Sequence, residues 1–233
     1  MKSIALSNQK ICKKLNRREN QGVSLFFQGW KISLVVLLCI FVVSFFKTGK
    51  EESNNSPQPF PELAMKGGDA YIRALMRTIS ASESNGKYPY ALIYGGKHIH
   101  SFEQHPDICV PIEIGVNRGK CSTAAGRYQF LTSTWEEKAR KYHPEAKKHR
   151  HEIVYSFEPE YQDIVVYRWL KDHHQWDVEI LTLLKQDRVE EVLGKLSGVW
   201  TSLGGGIEDN SMTPYLPQLY RQFLAEELKN QKK

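Results

Sequence analysis

Glu83 is the residue of this chain whose type and setting best suit acid–base chemistry. The apolar positions before it, Ile72, Leu75, Met76 and Ile79, follow the i, i+3, i+4, i+7 spacing of a helix face turned toward a core. Position 83 is the next step along that face, so a carboxylate falls where burial is expected. Ser84-Asn85-Gly86-Lys87 then turns polar and helix-breaking. A glutamate that is half desolvated, near the negative end of a helix, holds its proton more tightly than one in water. Such a group is suited to donate a proton near neutral pH, as glycosidic bond cleavage requires. The alternative is a surface glutamate on the last helical turn, with its carboxylate in water.

The elements that must position Glu83 read as mainly helical. Gly68-Asp69 starts the first helix, which ends near Ser84-Asn85-Gly86. Ser133-Thr134-Trp135-Glu136 has the pattern of a capping box opening a second helix toward His143. Ser156-Phe157-Glu158-Pro159 precedes a third, with proline in an allowed first-turn place. Asp187-Arg188-Val189-Glu190 caps a fourth, which carries Val192, Leu193, Leu196, Val199 and Trp200. Thr213-Pro214 opens a fifth with Leu216, Leu219, Tyr220, Phe223 and Leu224. Between the first two helices, Tyr90 to Tyr94 reads as a short strand, Gly95-Gly96 as a turn and His98-Ile99-His100 as its return. The expected class is α+β: several helices around a small β element, in one domain over residues 66–230.

The N-terminal part is of another kind. Residues 32–46 form the only long uncharged apolar run, extended by Gly29-Trp30 at the interface. Seven Lys and Arg residues precede it, against the single acid Glu19. That asymmetry predicts a cytoplasmic leader over 1–28, a membrane anchor over 29–46 and everything later outside. A cleaved signal peptide competes with the anchor, but the leader is long and no small-x-small pair follows the run before Lys47. Residues 47–65, with Ser53-Asn54-Asn55-Ser56-Pro57, Pro59 and Pro61, read as a polar linker.

Charge and cysteines narrow the function classes. The net charge of +6 comes entirely from the first 50 residues, which carry nine basic residues and one acid; the remainder carries 23 basic and 25 acidic residues. A near-neutral domain argues against nucleic-acid binding through a basic face. The run Lys147-Lys148-His149-Arg150-His151 reads as a solvated loop. Cys12 and Cys39 fall in the leader and the span; Cys109 and Cys121 fall outside, around a loop with Pro111, Gly115 and Gly119, and are expected to be bridged. No CxxC or HxxxH spacing supports a metal site, and no cofactor is expected.

A series of motifs carries a family resemblance. In order they are Ser82-Glu83-Ser84-Asn85-Gly86, Tyr90, Gly95-Gly96, Phe102, His105-Pro106 and Thr123-Ala124-Ala125-Gly126-Arg127-Tyr128-Gln129. Phe157-x-Pro159-x-x-Gln162-Asp163 and Trp200-Thr201-Ser202-Leu203 complete it. Over nearly all of the part after the linker, the series resembles the lambda-phage-type endolysins. These are peptidoglycan lytic transglycosylases with a lysozyme-like fold. The resemblance implies Glu83 as the catalytic acid, Gly126, Arg127, Tyr128 and Gln129 as groove residues, and Ser84 and Tyr90 beside them. Chemistry agrees, since Gly126 permits close backbone approach and Gln129 both donates and accepts. Tyr128 offers a flat face with a polar tip, or else plain core packing, and Arg127 suits a structural ion pair as well. The chain departs from the pattern at Ala91, where the family carries Asp or Asn, and over Gly204 to Asn210, where a tyrosine and a glutamine are missing.

The implied substrate is the glycan strand of peptidoglycan, cut at the β-1,4 bond between N-acetylmuramic acid and N-acetylglucosamine. Two alternatives stay open. One is a hydrolytic muramidase using water, with Glu103, Asp107 or Glu113 as the second carboxylate. The other is a wall-binding protein without turnover, favoured only by the altered 204–210 segment.

Overall fold

Asp69 opens the first helix, α1, at Ala70–Glu83: its carboxylate accepts from the Tyr71 and Ile72 amides, two of the donors that a helix start leaves without partners. The structure is a computed structural model and describes residues 60–115, 117–149, 152–204 and 210–232. The leader 1–28, the anchor 29–46 and most of the linker lie outside these residues. Among the described residues, no helix is long and apolar enough to cross a membrane.

Ile72, Leu75, Met76 and Ile79 of α1 are completely buried, as their spacing requires. Ala74, Arg77, Thr78 and Ala81 are buried as well, so α1 is a central helix covered on nearly every side. Six further helices follow it among the described residues: α2 (Thr132–Tyr142), α3 (Pro159–Lys171), α4 (His173–Trp176), α5 (Ile180–Lys185), α6 (Val189–Leu196) and α7 (Leu216–Asn230), of which α3, α5 and α7 pack against α1. The main partner of α1 is α7. Arg77 pairs there with Glu226 and Glu227, at 2.7 and 3.2 Å, and lies over the Phe223 ring. These charges tolerate burial because they are matched and hydrogen-bonded.

The β content is small and lies between helices. Strand β1 (Val110–Pro111) pairs antiparallel with β2 (Cys121–Ser122), and β3 (Lys147–His149) with β4 (Glu152–Val154). A disulfide joins Cys109 to Cys121 at the base of the first hairpin.

Several local expectations change. Tyr90 to Tyr94 forms no regular strand: 3-10 turns at Pro89–Ala91 and Tyr94–Gly96 flank isolated bridges of Leu92 to His98 and of Ile93 to Ala125. The capping box at Ser133 does not form, because α2 begins two residues earlier than that box requires, with Leu131 at the N-cap. Thr123 caps it from outside, accepting from the Thr132 amide at 3.1 Å. Lys147 to His149 is a strand rather than loop, with Arg150 and His151 outside the described residues. Helix α6 ends at Leu196, before Val199 and Trp200. Residues Leu63 and Met65, read as linker, are buried in the core, and Phe60 packs edge-on against Phe223.

Candidate active site

Glu83 is the last residue of α1 and is half-buried. Its carboxylate accepts a hydrogen bond from the Ser202 hydroxyl, which lies in the 3-10 turn Thr201–Leu203. That turn is held against the helix end. The Ser202 carbonyl accepts from Ser82 Oγ at 3.0 Å and from Thr213 Oγ1 at 2.8 Å. Asn210 donates to the Ser82 carbonyl at 2.9 Å, meeting one of the acceptors that a helix end leaves open. The carboxylate therefore sits in a frame of fixed polar contacts rather than on a loose terminal turn.

A tight turn lies against the next residue. Ala125 and Phe130 exchange both backbone hydrogen bonds, at 3.0 and 2.8 Å, and enclose Gly126 to Gln129. Gly126 and Gln129 both have positive φ, +75° and +46°. Gln129 offsets the cost of that conformation by donating its side-chain amide to the Gly126 and Leu92 carbonyls, at 2.9 and 3.3 Å. Ser84 Oγ donates to the Arg127 carbonyl at 2.7 Å, and Trp200 Nε1 to the Tyr128 carbonyl at 3.1 Å. Thus Ser84 ties the turn directly to the end of α1, and the segment that brings Ser202 to Glu83 ties it a second time.

Behind the turn, side chains form a buried polar network around Asp163 of α3. Asp163 accepts from Tyr128 Oη at 2.6 Å, Tyr90 Oη at 2.7 Å and the Met65 amide at 3.0 Å. Arg127 donates to Tyr90 Oη at 3.0 Å and to the Glu62 and Pro61 carbonyls. Tyr90 Oη also accepts from the Ala64 amide at 2.8 Å. Burial lifts the Asp163 carboxyl above the usual carboxylate range, against the pull of Arg127 and its three donors. Burial, reinforced by Asp163, likewise raises the Tyr128 and Tyr90 phenols. Gln162 completes the packing: its Oε1 accepts from the Arg127 amide at 2.9 Å and its Nε2 donates to Tyr90 and Phe157 carbonyls.

The residues singled out by sequence separate into two groups. Glu83 and Gln129 are partly exposed at the end of α1 and on the turn. Ser84, Gly126, Arg127 and Tyr128, expected at a sugar groove, are interior, with exposures of 2 % for Ser84 and 0 % for Arg127 and Tyr128. Tyr90 keeps some exposed surface but turns its hydroxyl inward to Asp163 and Arg127. Glycine is needed at 126 because a Cβ there would meet Gln162 Oε1 at 2.3 Å and the Phe157 ring at 2.7 Å. These residues position the turn from within. Of the second-carboxylate candidates, Glu103 and Glu113 are exposed, and Asp107 accepts from Thr132 Oγ1 at 2.7 Å. Among the described residues, no cluster of three or more His, Cys, Asp or Glu could hold a metal ion.

Sequence reasoning gave no role to Ser202, Asp163 or Asn210. Asp163 had a signal: it shares an inward helix face with Val166 and Leu170, all buried, so a carboxylate stood among core positions. Ser202 lay within a quoted motif, but nothing in its spacing says that it meets Glu83.

Comparison with known proteins bears on this arrangement. The endolysin family model matches residues 73–226. Two solved structures of bacteriophage lambda lysozyme are similar. One, described as complexed with a chitohexasaccharide, is 21% identical with a TM-score of 0.50 and covers 68% of this chain and 97% of its own. The other is 20% identical with a TM-score of 0.49 and covers 70% and 97%. Comparison with curated protein sequences found no match. The first likeness shows a lysozyme-like fold, and the family match runs from α1 to α7 across Glu83, the turn and Ser202; the chain belongs to the endolysin family of lysozyme-type, peptidoglycan-cleaving enzymes.

Proposed function

We propose that this chain is a lytic transglycosylase that cleaves the β-1,4 bond between N-acetylmuramic acid and N-acetylglucosamine, with Glu83 as its one catalytic carboxylate. The observation that carries this reading is the frame around Glu83: half-buried at a helix end, oriented by the Ser202 hydroxyl, beside a turn locked to Ser84. Glu83 protonates the bridging oxygen as the C1–O bond breaks, releasing the N-acetylglucosamine end. As a carboxylate it then takes the proton of the muramic C6 hydroxyl, whose oxygen bonds to C1. The ring closes as a 1,6-anhydro sugar, no water is consumed, and Glu83 regains its proton. A precisely held acid suits both transfers, because proton transfer requires hydrogen-bond reach in each direction.

A hydrolytic route needs a second carboxylate about 5 Å from the acid for retention, or about 6.5–9.5 Å for inversion. Asp107 is already engaged by Thr132, while Glu103 and Glu113 are exposed on connecting segments, poor settings for a nucleophile. The glycan bound to the similar lambda lysozyme supports a carbohydrate polymer as substrate class. We further propose that residues 29–46 tether the domain on the outer side of a membrane, facing the wall. Mass spectrometry of muropeptides after complete digestion of sacculi tests the mechanism. Anhydro-muramoyl ends, lighter by one water, are expected; reducing ends in the majority would overturn it.

A further inference from the structure

An exposed platform lies on the segment hydrogen-bonded to the active-site turn. The chain holds no Asp or Glu between Glu83 and Glu103, yet it holds Lys87, Lys97, His98 and His100 there. Tyr88 is 59 % exposed, so its ring is open to a partner. Lys87 Nζ stands 5.1 Å from its centroid, and the His98 ring meets it edge-on at 6.2 Å. Backbone bonds fix the platform: Ala91 to Tyr88 at 3.2 Å, Ile93 to Lys97 at 2.8 Å and Ile99 to Ala91 at 2.8 Å, with Leu92 bridged to His98. The same segment joins the turn, since the Leu92 carbonyl accepts from the Gly126 amide at 2.7 Å and Tyr94 donates to Ala124 at 2.9 Å. Lys87 lies four positions after Glu83, a reach of at most about 14 Å.

We infer that Lys87, Tyr88, Lys97 and His98 form a cationic aromatic platform that binds the carboxylates of the peptide stems carried by the wall glycan. This rests on the peptidoglycan reading above. A neutral sugar would stack on Tyr88 and accept hydrogen bonds from the lysines without using their charge; a pendant peptide brings negative charge to the flank of the cleaved strand. The lysines act as point charges on flexible stems, which suits the carboxylates of a mobile peptide. The patch is local on a domain of nearly balanced charge, so it directs a substrate group rather than drawing in polyanions generally.

The test uses the full-length protein on purified sacculi and on the same sacculi with stem carboxylates converted to amides. Wild type is expected to show a lower KM on the carboxylate form. Lys87→Ala/Lys97→Ala is expected to lose that preference, at roughly two- to fivefold per lysine, and added salt to weaken it in wild type. Equal KM values on the two wild-type substrates, or an undiminished preference in the double variant, would overturn the inference. Co-sedimentation of Glu83→Gln protein with both sacculi reads the same preference as binding, without turnover. If wild type cleaves neither substrate, the proposed function fails, while the sedimentation ratio still decides the platform: a higher bound fraction on the carboxylate form supports it and equal fractions overturn it.

Discussion

The turn at Gly126–Gln129 and the segment 87–99 are hydrogen-bonded neighbours built from opposite kinds of surface. Arg127 and Tyr128 in the turn are wholly buried; the Tyr128 hydroxyl is matched to Asp163 and the two terminal guanidinium nitrogens of Arg127 to Tyr90 and the backbone of residues 61–62, leaving Arg127 Nε without a hydrogen bond. Lys87, Tyr88, Lys97 and His98 are exposed and face solvent. Burial makes the first region stiff, because each group there would lose a desolvated partner if it moved. Exposure leaves the second able to meet a partner at little cost. Glu83, half-buried at their junction, needs both: a rigid neighbour for geometry and an open side for substrate.

The largest effect is expected at the junction. Glu83→Gln preserves size and an acceptor for Ser202 but has no proton to give, so activity on sacculi should fall by about 10²–10⁴ while thermal unfolding is unchanged. A variant retaining a third of wild-type turnover would show that Glu83 is not the acid. On the stiff side, Asp163→Asn weakens the acceptor shared by Tyr128, Tyr90 and the Met65 amide and removes the negative charge that balances Arg127 across the Tyr90 hydroxyl. Such losses typically cost about 1–3 kcal/mol in urea unfolding. Adding Arg127→Met should recover part of that loss; if Asp163→Asn alone is neutral, the network is not what stiffens the turn.

The Cys109–Cys121 disulfide braces the hairpin next to the open segment, where Val110 lies 3.3 Å from the Cβ position of Gly95. Replacing both cysteines by serine is expected to cost about 3 kcal/mol or less, since the closed loop is short. Calorimetry with and without reductant measures this; a reduction-insensitive Tm would show that the brace adds nothing.

The smallest effect concerns acid pH. His105 donates Nε2–H to the Phe130 carbonyl at 2.8 Å and accepts from the Asp107 amide through Nδ1, and His143 does the same with Ser156 and Glu145. Burial holds both imidazoles below their usual pKa. Their contribution to stability is therefore fully present above the unfolded value near 6.5 and is lost as pH falls through the lower folded values. Tm should decline with acidification over that window, and less steeply in His105→Gln. An identical slope in the variant would remove His105 from the account.

What the sequence determined by itself was local and periodic. The spacing of Ile72, Leu75, Met76 and Ile79 specified the buried face of α1 and brought Glu83 to its end; Pro159 and Thr213-Pro214 marked the starts of helical segments; the spacing of Cys109 and Cys121 allowed their bridge. Each follows from short-range geometry, which a chain carries with it before it folds. Only the tertiary structure decided which polar residues face inward. Arg127, Tyr128 and Ser84 looked like sugar contacts because polar groups near a candidate acid suit a groove. Tyr128 and Arg127 are interior because Asp163, Gln162, Tyr90 and the backbone of residues 61–62, distant in sequence, arrive to satisfy them, and Ser84 because its hydroxyl donates to the Arg127 carbonyl. The meeting of Ser202 with Glu83 has the same origin, since 119 positions separate the two and only packing of the turn Thr201–Leu203 against α1 brings the hydroxyl to the carboxylate.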